Sequence, residues 1–346
     1  MDKNDKVNLK ALSERELIEF IQGVGLPPFR ARQLIHWIYR RYAATIEEIT
    51  EFSGPLRKKL SERAYISSLG LAGSQKSRDG TTKYLFRLED GEMIESVLIP
   101  DRDRLTLCIS SQVGCAMGCK FCLTGRVGLK RNLRAFEIVD QIIYVSRLIL
   151  PERLTNIVFM GMGEPLANFD EVVESLWRIT RLMGISKRRI TLSTSGIVPA
   201  LLELPVRAPS VNIAISLNAT SDIIRDEIMP VNRVYPLRML LDACRSYPLE
   251  PRRRITFEYI LLDGVNDSID DARRLISLLK GIRCKINLIP FNAYEGAEFR
   301  SPSDKRVMAF QKMLIDGGLT ALIRKSKGQD IRAACGQLRA GYITDR

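Results

Sequence analysis

From Arg104 onward the sequence alternates short β-rich runs with amphipathic helical stretches, and this alternation restricts the fold more than any other feature. The strand candidates are LTLCISS, NIVFMGM, RITLSTS, VNIAISL, ITFEYILL and KINLIPF, and FEIVDQIIYVSRLIL and DEVVESLWRITRLM are two of the helices between them. Apolar strands separated by helices read as βα units of a parallel sheet, because parallel neighbours need long crossovers that cover both faces. Six such units allow either a doubly wound α/β sheet or a sheet rolled into a barrel. In both, chemistry collects at the carboxyl ends of the strands. The motif-like segments fall there repeatedly: a cysteine loop after the first strand, GMGEP after the second, STSG at the end of the third, SLNA after the fourth and PFNAY after the sixth. Five strand ends therefore point to one composite site.

Two flanking regions precede this core. Residues 1–65 predict a small helical accessory domain. Ser13 and Glu16 form a capping box before LIEFIQ, and GLPP ends that helix. ARQLIHWIYRRY follows as a second amphipathic run, with shorter helical stretches near Ile46–Glu51 and from Pro55 to Ala64. Residues 66–103 predict a β-hairpin, KYLFRLEDGEMIESVLIP, turning at Asp90-Gly91. Met93, Glu95, Val97 and Ile99 share one face of its second arm by the two-residue period. A buried face would raise the Glu95 pKa and make it a proton carrier; a solvated face would leave it ordinary. The pattern leaves both open. Residues 104–300 then hold the six βα units, and 301–346 a C-terminal helix, strand and loop.

Composition narrows the function. No run approaches the roughly 18 apolar residues of a membrane span, and the opening MDKNDKVNLK lacks an apolar signal core. The expectation is a cytoplasmic protein without a membrane partner, a monomer, in which the seven cysteines stay reduced and serve metal or redox chemistry. The net charge of +13 suggests a nucleic-acid partner. Any one basic cluster, such as Lys187-Arg188-Arg189, Arg252-Arg253-Arg254 or Arg324 through Lys327, is explained equally by a solvated surface. The single histidine, His36, lies on the second helical run, which argues against a Ser-His-Asp triad or an HExxH zinc site.

CAMGCKFCLTG places Cys115, Cys119 and Cys122 in one loop, beside Gly114 and Gly118. Thiolates ligate zinc or iron–sulfur clusters. Zinc sites usually draw on a second cysteine pair or on histidines, and neither lies nearby; Cys108, on the preceding strand, is a conceivable fourth ligand. Three cysteines suit three irons of a cubane cluster, leaving the fourth iron open to a substrate or cofactor, as an open position marks catalytic zinc. GMGEP alone is a weak signal. Leu166 stands where a dinucleotide-binding GxGxxG needs its third glycine, and a tight βα turn would explain the rest. Cys335, in QDIRAACGQL, has small neighbours that would let a thiol move between partners. Taken singly, Cys335 and Cys108 read as small buried hydrophobes, as do Cys244 and Cys284.

Together these segments carry a resemblance. CAMGCKFC resembles the cluster loop of radical S-adenosylmethionine (SAM) enzymes, and GMGEP (residues 161–165) their SAM amino-group motif. With SSQVGCAMGCKFC, GMGEPLAN, TLSTSGIVPAL and KGQDIRAACGQL in order, the chain from about Ser13 to its end is similar to RlmN-type RNA methyltransferases of the RlmN/Cfr family. The resemblance implies a partial (β/α)6 barrel with the helical domain and hairpin appended. It implies one [4Fe-4S] cluster on Cys115, Cys119 and Cys122, and two SAM molecules per turnover. The first methylates Cys335; the second, cleaved at the cluster, yields a radical that takes hydrogen from the S-methyl group, whose carbon then adds to adenine. Cys108 resolves the covalent RNA adduct through a transient disulfide with Cys335, and Glu95 handles the proton. Gly163, Glu164, Ser193, Ser216, Leu217, Asn218 and Asn292 are implied SAM contacts, although Asn218 stands where many relatives carry histidine. The implied substrates are carbon 2 of an adenine in the peptidyl-transferase region of 23S rRNA and an adenine 3′ of tRNA anticodons, with flavodoxin or ferredoxin as electron donor. Two alternatives remain open on sequence: methylation at adenine carbon 8, as in Cfr-type resistance enzymes, and a non-catalytic RNA-binding protein with a structural metal.

Overall fold

A computed structural model describes residues 6–340; residues 1–5 and 341–346, the ends of the expected first and last units, lie outside the described residues. The helical N-terminal unit is closed by a parallel ribbon. β1 (Val7–Asn8) pairs with β2 (Ala64–Tyr65), and α1 (Glu14–Gly23), α2 (Phe29–Tyr39) and α3 (Gly54–Ser61) lie between them. The Ser13–Glu16 capping box forms as expected, Ser13 Oγ accepting from the Glu16 N–H and the Glu16 carboxylate from the Ser13 N–H. His36 is exposed on α2. The stretch after Ile46 is a single 3-10 turn rather than an α-helix.

One ten-stranded sheet forms the rest of the framework. Its antiparallel part is β3 (Gly70–Lys76), β4 (Thr82–Arg87) and β5 (Met93–Asp101), and β5 pairs antiparallel with β6 (Arg104–Cys108). β4 and β5 are the expected hairpin, turning at Asp90-Gly91 with Gly91 at φ 88°. β3 was not anticipated: GLAGSQK is glycine-containing, largely exposed and lacks strand periodicity. A separate antiparallel ribbon, β7 (Gln112–Gly114) and β8 (Leu129–Asn132), brackets the cysteine loop and the short α4 (Leu123–Val127).

The six expected parallel strands are β6, β9 (Asn156–Phe159), β10 (Ile190–Thr194), β11 (Asn212–Ser216), β12 (Ile255–Leu261) and β13 (Cys284–Pro290). A seventh short parallel strand, β14 (Ala321–Ile323), follows β13. The crossovers are α5 (Ala135–Leu148), α6 (Phe169–Trp177), α7 (Val198–Arg207), α8 (Asp222–Ile228) with α9 (Leu237–Ser246), α10 (Ile269–Leu278) and α11 (Asp304–Asp316). Neighbours in the sheet follow chain order from β6 to β14. A doubly wound sheet reverses its order at a switch point, so this succession selects the rolled, partial-barrel alternative. Ile213, Ala214, Ile215, Phe257, Ile286 and Leu288 are all nearly inaccessible, the two-faced burial of a parallel sheet.

The helical unit is fastened to the barrel by buried charge. Lys10 Nζ meets the Asp140 carboxylate on α5 at 2.5 Å, and Arg178 donates to the carbonyl oxygens of Lys10 and Leu12. Arg178 opens a π-helical stretch, residues 178–182, that continues α6. Among the described residues no helix is long and apolar enough to cross a membrane.

Candidate active site

The carboxyl ends of the parallel strands converge on a cavity of about 160 Å³. Cys115, Cys119 and Cys122 line one side; Gly163, Glu164, Ser193, Ser216 and Asn218 come from the ends of β9, β10 and β11. The loop's approach depends on Gly114. At φ 79°, its Cβ would sit 1.8 Å from the Gly128 carbonyl oxygen, and the Cys115 N–H donates to that same oxygen. Gly163 (φ 103°) is equally constrained, because a Cβ there would lie 2.7 Å from the Gln112 side chain.

Among the described residues no three His, Cys, Asp or Glu side chains converge closely enough to hold one ion. The three loop thiols instead face a shared cavity from separate positions, a donor set for a multi-iron cluster in which each iron takes one sulfur. Their electrostatics agree. Burial pushes the Cys115 thiol up to about 12 and Cys119 well above its ordinary value, and the neighbouring thiols raise both further. Three thiolates there need a cationic core to compensate them, and a cluster supplies one.

A second cavity of about 550 Å³ adjoins the first. Cys108, Thr106, Asn292, Lys325 and Lys327 line it. Cys335, Met160, Ile289 and Arg324 line both cavities, so the C-terminal thiol stands in the dividing wall. The segment that carries Cys335 is held from several sides. The α4 end of the cysteine loop binds it through Leu123 N–H to the Gly336 carbonyl (2.8 Å) and Thr124 Oγ1 to the Leu338 carbonyl (2.7 Å). The β3–β4 turn binds it through Ser77 Oγ to Asp330 and Gly328 N–H to Asp79. Gly328, Arg332 and Gly336 all have positive φ, which gives the loop its sharp bends.

The open question about Glu95 is answered by burial: the side chain is inaccessible. Oε2 accepts from the Arg339 N–H at 2.8 Å, Lys83 Nζ lies 3.4 Å from Oε1, and burial holds the carboxyl above its usual range despite that lysine. Glu95 lines neither cavity. The C-terminal segment covers it: Leu338 faces the second cavity, and Arg339 meets the carboxylate.

Several of the expected SAM contacts also hold the protein's own backbone together. Glu164 is fully satisfied, with Oε1 accepting from Leu166 N–H and Oε2 from Ser195 N–H. Leu217 is buried and lines neither cavity; its N–H donates to the Glu258 carbonyl. Asn218, at φ 56°, spends its Oδ1 on the Ile260 N–H. Asn292 lies in the second cavity, donating to the Cys335 carbonyl at 3.2 Å and accepting from Gln329. Cys244 and Cys284 are buried in the main core, consistent with packing thiols.

Three residues escaped the sequence. Arg225 is fully buried and donates to the carbonyl oxygens of Ser195, Ser216 and Leu217, stapling the ends of β10 and β11. Arg324, from a run that reads as solvated charge, lines both cavities beside Cys335 and acts on its thiol electrostatically. Glu258, hidden in the apolar run of β12, faces the first cavity. No local signal marks Arg225 or Arg324, whereas Glu258 is a charge where an apolar residue belongs.

Known proteins share this arrangement. A model described as the radical SAM superfamily matches residues 109–276, and one described as the ribosomal RNA large subunit methyltransferase N-terminal domain matches residues 7–66. A dual-specificity RNA methyltransferase RlmN from Geobacter sulfurreducens is 55% identical, over 96% of this chain and 92% of the relative. Its counterpart from Syntrophobacter fumaroxidans is 52% identical, over 98% and 99%. The crystal structure of a radical SAM methyltransferase from Sphaerobacter thermophilus superposes with a TM-score of 0.92 at 44% identity, covering 96% of this chain and 99% of that one. The three loop cysteines, the strand-end cavity and these full-length likenesses together assign the chain to the RlmN family of radical SAM RNA methyltransferases, enzymes that use SAM and a [4Fe-4S] cluster.

Proposed function

We propose that this enzyme methylates carbon 2 of an adenine in the peptidyl-transferase region of 23S rRNA and of the adenine 3′ of tRNA anticodons, using Cys335 as the carrier of the new carbon. The observation that supports this best is the position of Cys335, shared between the cavity of the three loop cysteines and the cavity of Cys108. Held by Cys115, Cys119 and Cys122, the cluster supplies with SAM the one-electron chemistry that activates a methyl group. Gly163, Glu164, Ser193, Ser216 and Asn218 shape the chamber that receives SAM and excludes water.

The chain's own residues supply the other steps. Cys335 first accepts a methyl group in ordinary displacement, losing its thiol proton and leaving a neutral thioether product. A second SAM is consumed when the S-methyl carbon is joined to the base, because carbon 2 of adenine is too weakly nucleophilic for direct transfer. Glu95 takes the proton released from that carbon; its raised pKa suits the exchange, and the covering segment at Arg339 must shift to admit the base. Cys108, giving up its thiol proton, then attacks the Cys335 sulfur; the sulfur–carbon bond breaks, the RNA-borne carbon takes up a proton to become the methyl group, and an external reductant opens the resulting disulfide. A small electron-transfer protein such as flavodoxin or ferredoxin feeds the cluster. Lys325 and Lys327 place positive charge at the second cavity, where a splayed adenine and its phosphates would enter. The enzyme acts in the cytoplasm as a monomer.

The decisive experiment is anaerobic reconstitution with labelled SAM, a reductant and protein-free ribosomal RNA or tRNA, followed by nucleoside analysis. Labelled 2-methyladenosine is expected from both RNAs; 8-methyladenosine alone would overturn the carbon-2 assignment.

A further inference from the structure

Glu258 is anomalous among the carboxylates of the first cavity. It is 5% exposed, its Oε1 accepts from Asn287 Nδ2 at 2.9 Å, and its Oε2 has no hydrogen-bond partner. The other carboxylate there, Glu164, has both oxygens satisfied by backbone N–H groups. Glu258 also makes no ion pair among the described residues. A buried carboxylate oxygen left bare is costly unless a ligand completes it.

The two acids keep different company in the chamber. Glu164 acts electrostatically on the loop thiols Cys115 and Cys119. Glu258 lines the cavity with Arg324 and Cys335, and Arg324 acts electrostatically on both. A methyl group transferable to Cys335 must lie close to that thiol, and in SAM the methyl is borne on a sulfonium cation. After transfer the same sulfur is a neutral thioether.

This difference matters for a cavity used twice per turnover. S-adenosylhomocysteine, left by the first transfer, must leave before a second SAM enters. The two molecules differ by one methyl group and one positive charge. An apolar pocket discriminates a single methyl weakly, whereas an unpaired carboxylate in a low-dielectric site responds strongly to the charge.

We propose that Glu258 is a specificity-determining residue: its free carboxylate oxygen favours the sulfonium form of the cofactor over the spent thioether, so that the cavity clears between its two uses. The proposal rests on the assignment of this cavity to SAM. Burial holds the Glu258 carboxyl above its usual range, which is the state an incoming cation would relieve.

The test is calorimetric titration of the anaerobically reconstituted full-length protein with SAM and, separately, with S-adenosylhomocysteine. Both titrations use a Cys335→Ala background, so that no methyl is consumed. Glu258→Gln keeps an oxygen to accept from Asn287 and removes only the charge. The parent is expected to prefer SAM, and Glu258→Gln to lower that preference at least tenfold, with thioether affinity unchanged or tighter. Equal preference in parent and variant, or no preference in the parent, overturns the proposal. Failure of either ligand to bind the parent would instead overturn the assignment of the cavity to SAM. Should Glu258→Gln fail to retain iron, the parent is titrated with the analogue carrying a protonated amine in place of the methylsulfonium. Binding at least tenfold tighter than the thioether supports the role of charge, and anything weaker refutes it.

Discussion

Replacing Lys10 by methionine would strand a carboxylate in the joint between the helical unit and the barrel. Lys10 and Asp140 are 2% and 3% exposed, and apart from the lysine Asp140 keeps, among the described residues, only a 3.4 Å contact from Ser67 Oγ. Breaking a buried pair by removing one partner costs about 3–5 kcal/mol, because the remaining charge is uncompensated. For a chain of 346 residues, an unfolding entropy of about 2.1 cal/mol/K per residue gives roughly 0.7 kcal/mol/K, so Tm should fall by about 4–7 °C. The double variant Lys10→Met/Asp140→Leu should recover most of this loss, since well-packed apolar replacements of a buried pair are close to neutral.

The same variant carries a pH signature. Burial already raises the Asp140 pKa, and Lys10 is the main influence pulling it back. Without Lys10 the folded-state value rises further above the unfolded one. Stability linked to such a group is fully present below the unfolded value and is lost as pH rises through the folded one. The Tm deficit of Lys10→Met should therefore be smaller at pH 5 than at pH 8. Differential scanning fluorimetry of the single and double variants at both pH values checks this. Equal deficits at the two pH values, with no recovery in the double variant, would refute the reasoning.

The active site yields three further expectations. Cys335→Ala should abolish RNA methylation and the uptake of labelled methyl into protein while leaving iron content intact; label appearing on Cys108 by peptide mass spectrometry would contradict the assignment. Cys108→Ala should accumulate protein covalently bound to RNA, seen on denaturing gels, and clean multiple turnover in that variant would remove its resolving role. Gly114→Ala, whose Cβ would collide with the Gly128 carbonyl, should reduce cluster iron at least tenfold after reconstitution, whereas Gly23→Ala, which meets nothing within 4 Å, should leave it unchanged.

Much of the scaffold was legible because its determinants are local. The parallel strands show as β-branched apolar runs, the hairpin as Asp90-Gly91 between them, and the α1 start as Ser13 with Glu16. β14 falls in the C-terminal unit where a helix, a strand and a loop were expected, but β3 was not legible, since an exposed glycine-bearing strand has no period to read. The cysteine loop was visible for the same reason of locality. Arg225, Arg324 and Glu258 were not, because their roles come from partners distant in sequence: Ser195, Cys335 and Asn287. Asn292 shows the limit from the other side. It sits at the expected strand end, yet its amide turns to the Cys335 loop, which no strand-end rule foresees.

The positions of Cys108 and Cys335 bear on how, in the proposed cycle, one sulfur would be methylated and the other spared. A resolving thiol exposed to the methyl donor would compete with Cys335 for the methyl group. Cys108 avoids this in two ways. It lines only the second cavity, whereas Cys335 lines both. Burial also pushes its thiol up to about 12, so that at neutral pH it is protonated and a poor nucleophile. Arg324 counters that burial for Cys108 and acts electrostatically on Cys335 as well, so one guanidinium addresses both sulfurs, which share the second cavity but not the first. On the proposed mechanism, position and desolvation would thus keep Cys108 unreactive toward the methyl donor. It would become competent when an RNA adduct at Cys335 presents a sulfur to attack from the second cavity.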